Sequence, residues 1–350
     1  MRGDNFSFWR IPFFADADSQ ATMRRREFLS LLGGTAVAWP SVAHAQKPAM
    51  PLIGYISGAT SEFMREYVNA FHQGLGSAGY IEDINVLVEY RWAEGHNDRL
   101  AGLIADLVQR RVDVIAVGGS TPGALAAKAA TQSIPIVFLV GTDPVEVGLV
   151  GSLAQPGGNL TGITILNVEL LAKCLELMQG LMPPEAKTAV LLNPANTLQI
   201  KFERQTLKAA ERTLAVRPLI FNASNPREID AAFEAIVEAG VRALVVSGEY
   251  FFLTQRDLLV ALAAHHRIPT IYAYGEFTEA GGLMSYGTDN FDAHRRVGAN
   301  TGRVLKGELP ANLPVQQITK VEMEINLKTA STLGITFPLA MLGRADKVIE

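Results

Sequence analysis

The strongest constraint on this chain is a pattern that runs its course and then starts again. Short apolar runs, each closed by a turn signal, alternate with stretches of helical periodicity. Pro51-LIGYIS reads as a buried strand bounded by Pro51 and Gly58, and Glu62 to Ala78 as a helix stopped at Gly79. Asn85-VLVEYRW alternates like a strand, Asp98 to Arg111 is amphipathic, and Val112-DVIAVGG is another short apolar run. After it, Ser120-Thr121-Pro122 and Gly123-ALAAKAA give a cap, a proline at the first helical position and a helix. Ile134-PIVFLVG followed by Thr142-Asp143-Pro144 repeats the device, and Asn159-LTGIT reads as a last strand or crossing segment. Strands of this kind, separated by helices, predict a parallel α/β sheet.

The pattern then resumes. Thr188-AVLLN, Val216-RPLIF, Val241-RALVVSG and Pro269-TIYAY are apolar runs, separated by helical stretches over Leu198 to Leu214, Pro226 to Ala239 and Thr254 to His266. Leu283-MSYG is one more strand and Phe291 to Leu305 one more helix, ending at Gly307. Leu309-PANLPVQQ reads as loop and edge strand, and Ile325-NLKTASTLG as a final helix with Gly334 past its end. Two α/β units of similar size are expected, and the late strand and helix imply that the chain crosses between them more than once. The expected lobes are 46–163 completed by part of 284–318, and 164–283 completed by part of 319–350, sharing a hinge of two or three strands.

The opening residues read as an address. Arg24-Arg25-Arg26 is a basic segment, Leu29 to Trp39 a short apolar one, and Ala43-His44-Ala45 a small-x-small cleavage site that leaves Gln46 first. The expected signal peptide therefore spans 23–45, with cleavage after Ala45. Arg25-Arg26-Glu27-Phe28-Leu29 also has the twin-arginine form, while an ordinary secretory leader remains the alternative. Met23 directly precedes the arginines, so 1–22 reads as an over-extended start. The apolar part is shorter than the roughly 20 residues a membrane span needs, and nothing later reads as a transmembrane helix. A soluble periplasmic protein is expected.

Composition narrows the function. The 350 residues are 48% hydrophobic and 19% charged, an ordinary globular balance rather than a disordered one. A net charge of −4, with no basic run after the leader, argues against a nucleic-acid or anionic-membrane partner. The one cysteine, Cys174, lies in an apolar-periodic stretch and is expected buried in a helix. No Cys/His cluster has zinc spacing, so no metal or cofactor is expected. No G-x-G-x-x-G follows the first strand, no G-x-x-x-x-G-K-[ST] occurs, and Gly118-GSTPG misses the G-x-S-x-G elbow by one place. None of the histidines stands beside an obvious nucleophile, so no catalytic residue is assigned.

Parallel sheets bind ligands outside the carboxyl ends of their strands, at the helix N-termini that follow. That rule selects Ser57, Ser120, Thr121, Thr142 and Asp143 in the first unit, and Asn193, Glu249, Tyr250, Phe251, Tyr274 and Glu276 in the second; Ser285-Tyr286 ends a later strand. Ser120-Thr121-Pro122 reads equally as a helix cap or as a carboxylate site, and Thr142-Asp143-Pro144 as a cap or as the partner of a ligand ammonium. Asn193-Pro194 reads as a turn or a contact, and Tyr250-Phe251-Phe252 as core packing or the wall of a cleft.

With those residues in place, a family resemblance appears. Ala70-FHQGLGSAGY, Val88-EYRWAEG, Ala124-LAAKAAT, Ile134-PIVF, Asp143-PVEVGLV, Gln155-PGGNLTG, Ala280-GGLMSYG, Val304-LKGELPANLPVQQ and Ile325-NLKTA together resemble the ABC-sub-bind family of periplasmic substrate-binding proteins of ABC transporters, which includes tryptophan- and tyrosine-binding members. The resemblance spans Pro51 to Glu350. It implies a type I periplasmic-binding-protein fold, two Rossmann-like lobes of parallel sheet flanked by helices and joined by a multi-strand hinge. It also implies a monomer that captures a small solute, an amino acid or an aromatic or carboxylate compound, and delivers it to an ABC permease with a cytoplasmic ATPase. The ligand contacts it implies are the strand-end residues already named. The competing readings are a ligand-sensing module for a membrane receptor and a secreted hydrolase; a repressor of the same fold lacks its helix-turn-helix before Pro51.

Overall fold

A computed structural model describes residues 50–165 and 167–350 of the chain. The expected signal peptide, its expected cleavage site and the expected over-extended start, all before residue 50, lie outside the described residues.

The first stretch runs β1 (Leu52–Ser57), α1 (Ser61–Ser77), β2 (Leu87–Trp92), α2 (Leu100–Gln109), β3 (Val114–Val117), α3 (Thr121–Ala130), β4 (Ile136–Val140) and β5 (Leu160–Ile165). Strands β3, β4 and β5 are buried along their whole length, which is why β3 and β4 read as continuous apolar runs. Turn chemistry starts the helices: the Thr60 hydroxyl accepts from Phe63 N, and Ser120 Oγ accepts from Gly123 N at 3.0 Å. Pro122 is the second helical residue, one place later than the sequence suggests. The repeated device at Thr142-Asp143-Pro144 does not start a helix. Asp143 Oδ1 instead accepts from Val145 N (2.7 Å) and Glu146 N (3.2 Å) in a local turn, and left-handed glycines at 148, 157 and 158 keep the segment irregular.

The second stretch runs α4 (Asn167–Leu181), β6 (Thr188–Leu192), α5 (Thr197–Leu214), β7 (Leu219–Asn222), α6 (Pro226–Glu238), β8 (Ala243–Val246), α7 (Tyr250–Thr254), α8 (Arg256–His265), β9 (Thr270–Tyr272), α9 (Gly275–Glu279) and β10 (Met284–Thr288). The expected helix over Thr254 to His266 is α8, and the short α7 precedes it, the two separated at Gln255, whose backbone leaves the helical region. Cys174 is buried in α4.

The chain then returns with α10 (Asn290–Leu305) and β11 (Gln316–Ile318), and leaves again with β12 (Val321–Asn326), α11 (Leu327–Leu333), α12 (Leu339–Leu342) and β13 (Lys347–Ile349). Ile325 and Asn326, expected to open a helix, end strand β12. The alternation Val-Glu-Met-Glu-Ile carries the two-residue period of a strand, and Asn326 then caps α11 through Thr329 N.

Two sheets result. One has the order β11-β5-β4-β3-β1-β2 and is parallel throughout. The other has the order β13-β12-β10-β9-β8-β6-β7, parallel except for the β10–β12 pair. The chain passes between them three times: from β5 to α4, from β10 to α10, and from β11 to β12. Helix α10 is fastened to α1 by a near contact of backbones. A Cβ at Gly74 would sit 1.8 Å from Arg295 O, and one at Gly298 would sit 1.9 Å from Phe71 O.

Candidate functional site

The carboxyl ends of both sheets face one cavity of about 450 Å³, within the roughly 300–1,000 Å³ of small-molecule sites. Gly58, Gly119 and Gly141 line it just past β1, β3 and β4, and Asn193, Glu249 and Tyr274 just past β6, β8 and β9. The caps of four helices also open onto it: Thr60 of α1, Ser120 of α3, Asn196 of α5 and Asn225 of α6. Helix N-termini carry partial positive charge and favour anionic groups. Among the described lining residues there is no Lys or Arg; Glu94 and Glu249 are the acids. The cavity thus offers neutral donors at several edges and a buried carboxylate at another.

Of the residues selected from sequence, the cavity gathers Ser120, Thr121, Asn193, Glu249, Tyr250, Phe251 and Tyr274. It does not gather the other four. Ser57 is fully buried and its Oγ accepts from Ala59 N at 3.3 Å. Thr142 lies behind Thr121, their hydroxyls 3.1 Å apart. Asp143 is committed to its own turn. Glu276 faces a separate pocket of about 180 Å³ and accepts a 2.6 Å bond from Tyr67 OH. Sequence reasoning did not select Phe63, Asn167, Asn196 or Gln199, all of which line the cavity. Asn196 was open to detection as the cap of an amphipathic helix. Asn167 was not, because the crossing after β5 carries no motif.

Glu249 is only 7% exposed. Its Oε2 accepts from Asn193 Nδ2 (3.0 Å) and Phe251 N (2.7 Å), and its Oε1 from Asn196 Nδ2 (3.2 Å). Burial pushes its carboxyl above the ordinary range, and these donors pull it back. Asn196 also reaches Gln199, which donates to buried Glu203 at 2.8 Å. Glu203 has its carboxyl pushed up to about 7, chiefly by burial and further by Glu249.

Tyr250 reaches from the second sheet to the first. Its ring meets Phe63 edge-on at 5.8 Å and 86°, and its hydroxyl lies 3.5 Å from Met64 Sδ. Below it, Gly119 has a left-handed φ of +75°, and a Cβ there would stand 3.1 Å from the ring. Both facts favour glycine. Tyr274 OH donates to Gly248 O at 2.7 Å and accepts from Asn167 Nδ2 at 2.5 Å. The arrangement suits a small solute with an anionic group at the helix ends, a positive group among buried acceptors, and an aromatic face against Phe63, Tyr250 and Phe251.

Known proteins carry the same architecture. A family model described as ABC transporter substrate binding protein matches residues 56–349. A tyrosine-binding protein of Clostridioides difficile (strain R20291) is 27% identical over 266 residues, covering 76% of this chain and 75% of the relative. An ABC domain from Streptococcus pneumonia, solved in complex with L-Trp, superposes with a TM-score of 0.76 at 26% identity, covering 85% of this chain and 99% of that one. A conserved domain protein from Vibrio cholerae gives a TM-score of 0.77 at 25% identity, with the same coverage.

Proposed function

The chain belongs to the ABC transporter substrate binding protein family, and from that premise we propose that it captures an aromatic amino acid in the cleft between its two sheets and delivers it to a membrane permease. The observation that carries this reading is the cleft itself. Aromatic side chains from both sheets, four helix N-termini and one buried carboxylate line a single cavity, with no Lys or Arg among the described lining residues. A solute carboxylate meets the Thr121 N–H at the start of α3 together with the Ser120 and Thr121 hydroxyls; Pro122 has no N–H and that of Gly123 is already spent on Ser120 Oγ. Multiply charged anions are disfavoured for want of a cationic side chain. The aromatic ring lies against Phe63, Tyr250 and Phe251, each stacking contact adding roughly 0.5–1.5 kcal/mol beyond burial.

A solute that touches both sheets at once favours the form in which they are close, and only that difference in affinity shifts the population. The permease reads the closed form, and the protein acts by binding rather than by turnover. In this reading the chain is exported to the periplasm with its leader removed after Ala45. Mass spectrometry of the exported protein is expected to find Gln46 first; retention of the leader contradicts export by this route.

A thermal-shift screen against amino acids, nucleobases, aromatic acids and small sugars tests the ligand class. A solute at 100 times its Kd adds about 2.7 kcal/mol of stability. Tryptophan or tyrosine is expected to raise Tm. A shift only with sugars or nucleobases discards the aromatic amino-acid reading.

A further inference from the structure

Asn167 is the first residue of α4, placed where the chain has just passed from one sheet to the other. It lines the cleft and is 3% exposed. Its amide nitrogen donates to Gly248 O at 3.1 Å and to Tyr274 OH at 2.5 Å. These two partners fix which way the amide faces. Gly248 O can only accept. Tyr274 OH spends its hydrogen on that same carbonyl at 2.7 Å, so towards Asn167 it also accepts. A flipped amide would set its oxygen 3.1 Å from the Gly248 carbonyl oxygen, two acceptors with no hydrogen between them. Asn167 Oδ1 is therefore turned away from them, buried and without a partner among the described residues.

The surroundings are shaped around this side chain. A Cβ at Gly248 would stand 2.8 Å from the Asn167 Cβ, too close to fit, whereas one at Gly141 would make only ordinary contact with its Nδ2, at 3.5 Å. Backbone without side chains thus flanks the amide. A buried acceptor left without a donor is costly, so such an oxygen marks a place for a donor. Glu249 fills a different role, since both its oxygens already accept from the protein. The local field favours a positive donor. The Tyr274 hydroxyl is held above its ordinary range first by burial, then by the carboxylates of Glu249, Glu276 and Glu203.

We infer that Asn167 selects for an amine: its Oδ1 receives one N–H of the solute ammonium, and a solute lacking that group leaves the oxygen stranded. The inference rests on the solute-receptor reading and deepens it. It assigns the ammonium to the crossing after β5 and leaves the carboxylate to the helix ends.

Isothermal titration of the purified protein with L-tryptophan and with indole-3-propionate, its deaminated counterpart, tests it. Wild type is expected to prefer L-tryptophan by about 10-fold or more. Asn167→Leu and Asn167→Asp both lose the bond to Gly248, but only the aspartate keeps an acceptor. The leucine variant is expected to bind the two solutes within about threefold, and the aspartate variant to keep the preference. Preference retained by Asn167→Leu, or lost by Asn167→Asp in a folded protein, overturns the inference. If Asn167→Leu does not fold, the wild-type ratio decides, and a ratio within about threefold overturns the inference while leaving the receptor reading intact. If wild type binds neither tryptophan nor tyrosine, the aromatic reading falls. The same comparison is then made with whichever amino acid binds and its deaminated form, and failure of all amine-bearing solutes overturns the inference as well.

Discussion

At the scale of single residues, the buried acids behind the cleft carry the clearest pH signature. Glu203 is 1% exposed, takes a bond from Gln199 and leaves Oε2 without a partner among the described residues. Its carboxyl moves from the ordinary 4.5 to about 7. A carboxyl raised in this way is neutral in both states below about 4.5 and costs nothing there. Between about 4.5 and about 7 the unfolded chain binds fewer protons than the folded one, so stability falls as pH rises, and above 7 the full cost of about 3 kcal/mol is present. Glu203→Gln is expected to flatten that decline and to raise Tm at pH 8 relative to wild type. Thermal melts from pH 4 to 8 check it; parallel profiles contradict it. Which side chains would border the cavity was only partly legible. Ser120, Asn193, Glu249 and Tyr274 follow from the strand-end rule, because each lies within three residues of the end of a parallel strand. Asp143 and Glu276 obey the same rule in position, but one is drawn into an Asx turn and the other into a bond with Tyr67. Choices of that kind depend on where neighbouring elements lie in space.

At the scale of elements, the crossing of α1 and α10 reverses an ordinary rule. Glycine inside a helix is about 1 kcal/mol worse than alanine, so Gly→Ala should stabilise. It is expected to do so at Gly76, where a Cβ meets nothing within 4 Å. At Gly298 a Cβ would overlap Phe71 O at 1.9 Å, and Gly298→Ala is expected to lose about 1–3 kcal/mol as the helices are forced apart. Urea unfolding of both variants checks the opposite signs; equal effects contradict the contact. The alternation of strands and helices was readable wherever an apolar run is closed by glycine or proline, as at Gly58 and Gly119. It failed where polar alternation hides a strand, as in Val321–Asn326, and where a cap leads only to a turn, as after Thr142. Those outcomes are set by partners far along the chain: β12 pairs with β10 and β13.

At the scale of the molecule, three crossings join the sheets, and side chains span the cleft. Tyr67 of α1 donates to Glu276 of α9 at 2.6 Å, and Tyr250 lies against Phe63 and Gly119. Tyr67→Phe removes a bond between the two halves and strands a buried acceptor without touching the cavity wall. It is expected to weaken solute binding by about 10-fold; titration checks it, and unchanged affinity removes this bond from closure. That the chain forms two α/β units was legible from the restart of the pattern at Thr188. The bonds that span the cleft were not, since Tyr67 and Glu276 stand 209 positions apart.

The central claim is that the cleft holds an aromatic amino acid between the two sheets. Isothermal titration of L-tryptophan and L-tyrosine into the wild-type protein and Tyr250→Ala tests it most directly. One solute per chain is expected, with a negative ΔCp from the apolar surface buried and affinity reduced by an order of magnitude or more in the variant. A folded wild-type protein that takes up neither amino acid, or a Tyr250→Ala variant that binds them as tightly as wild type, would contradict it.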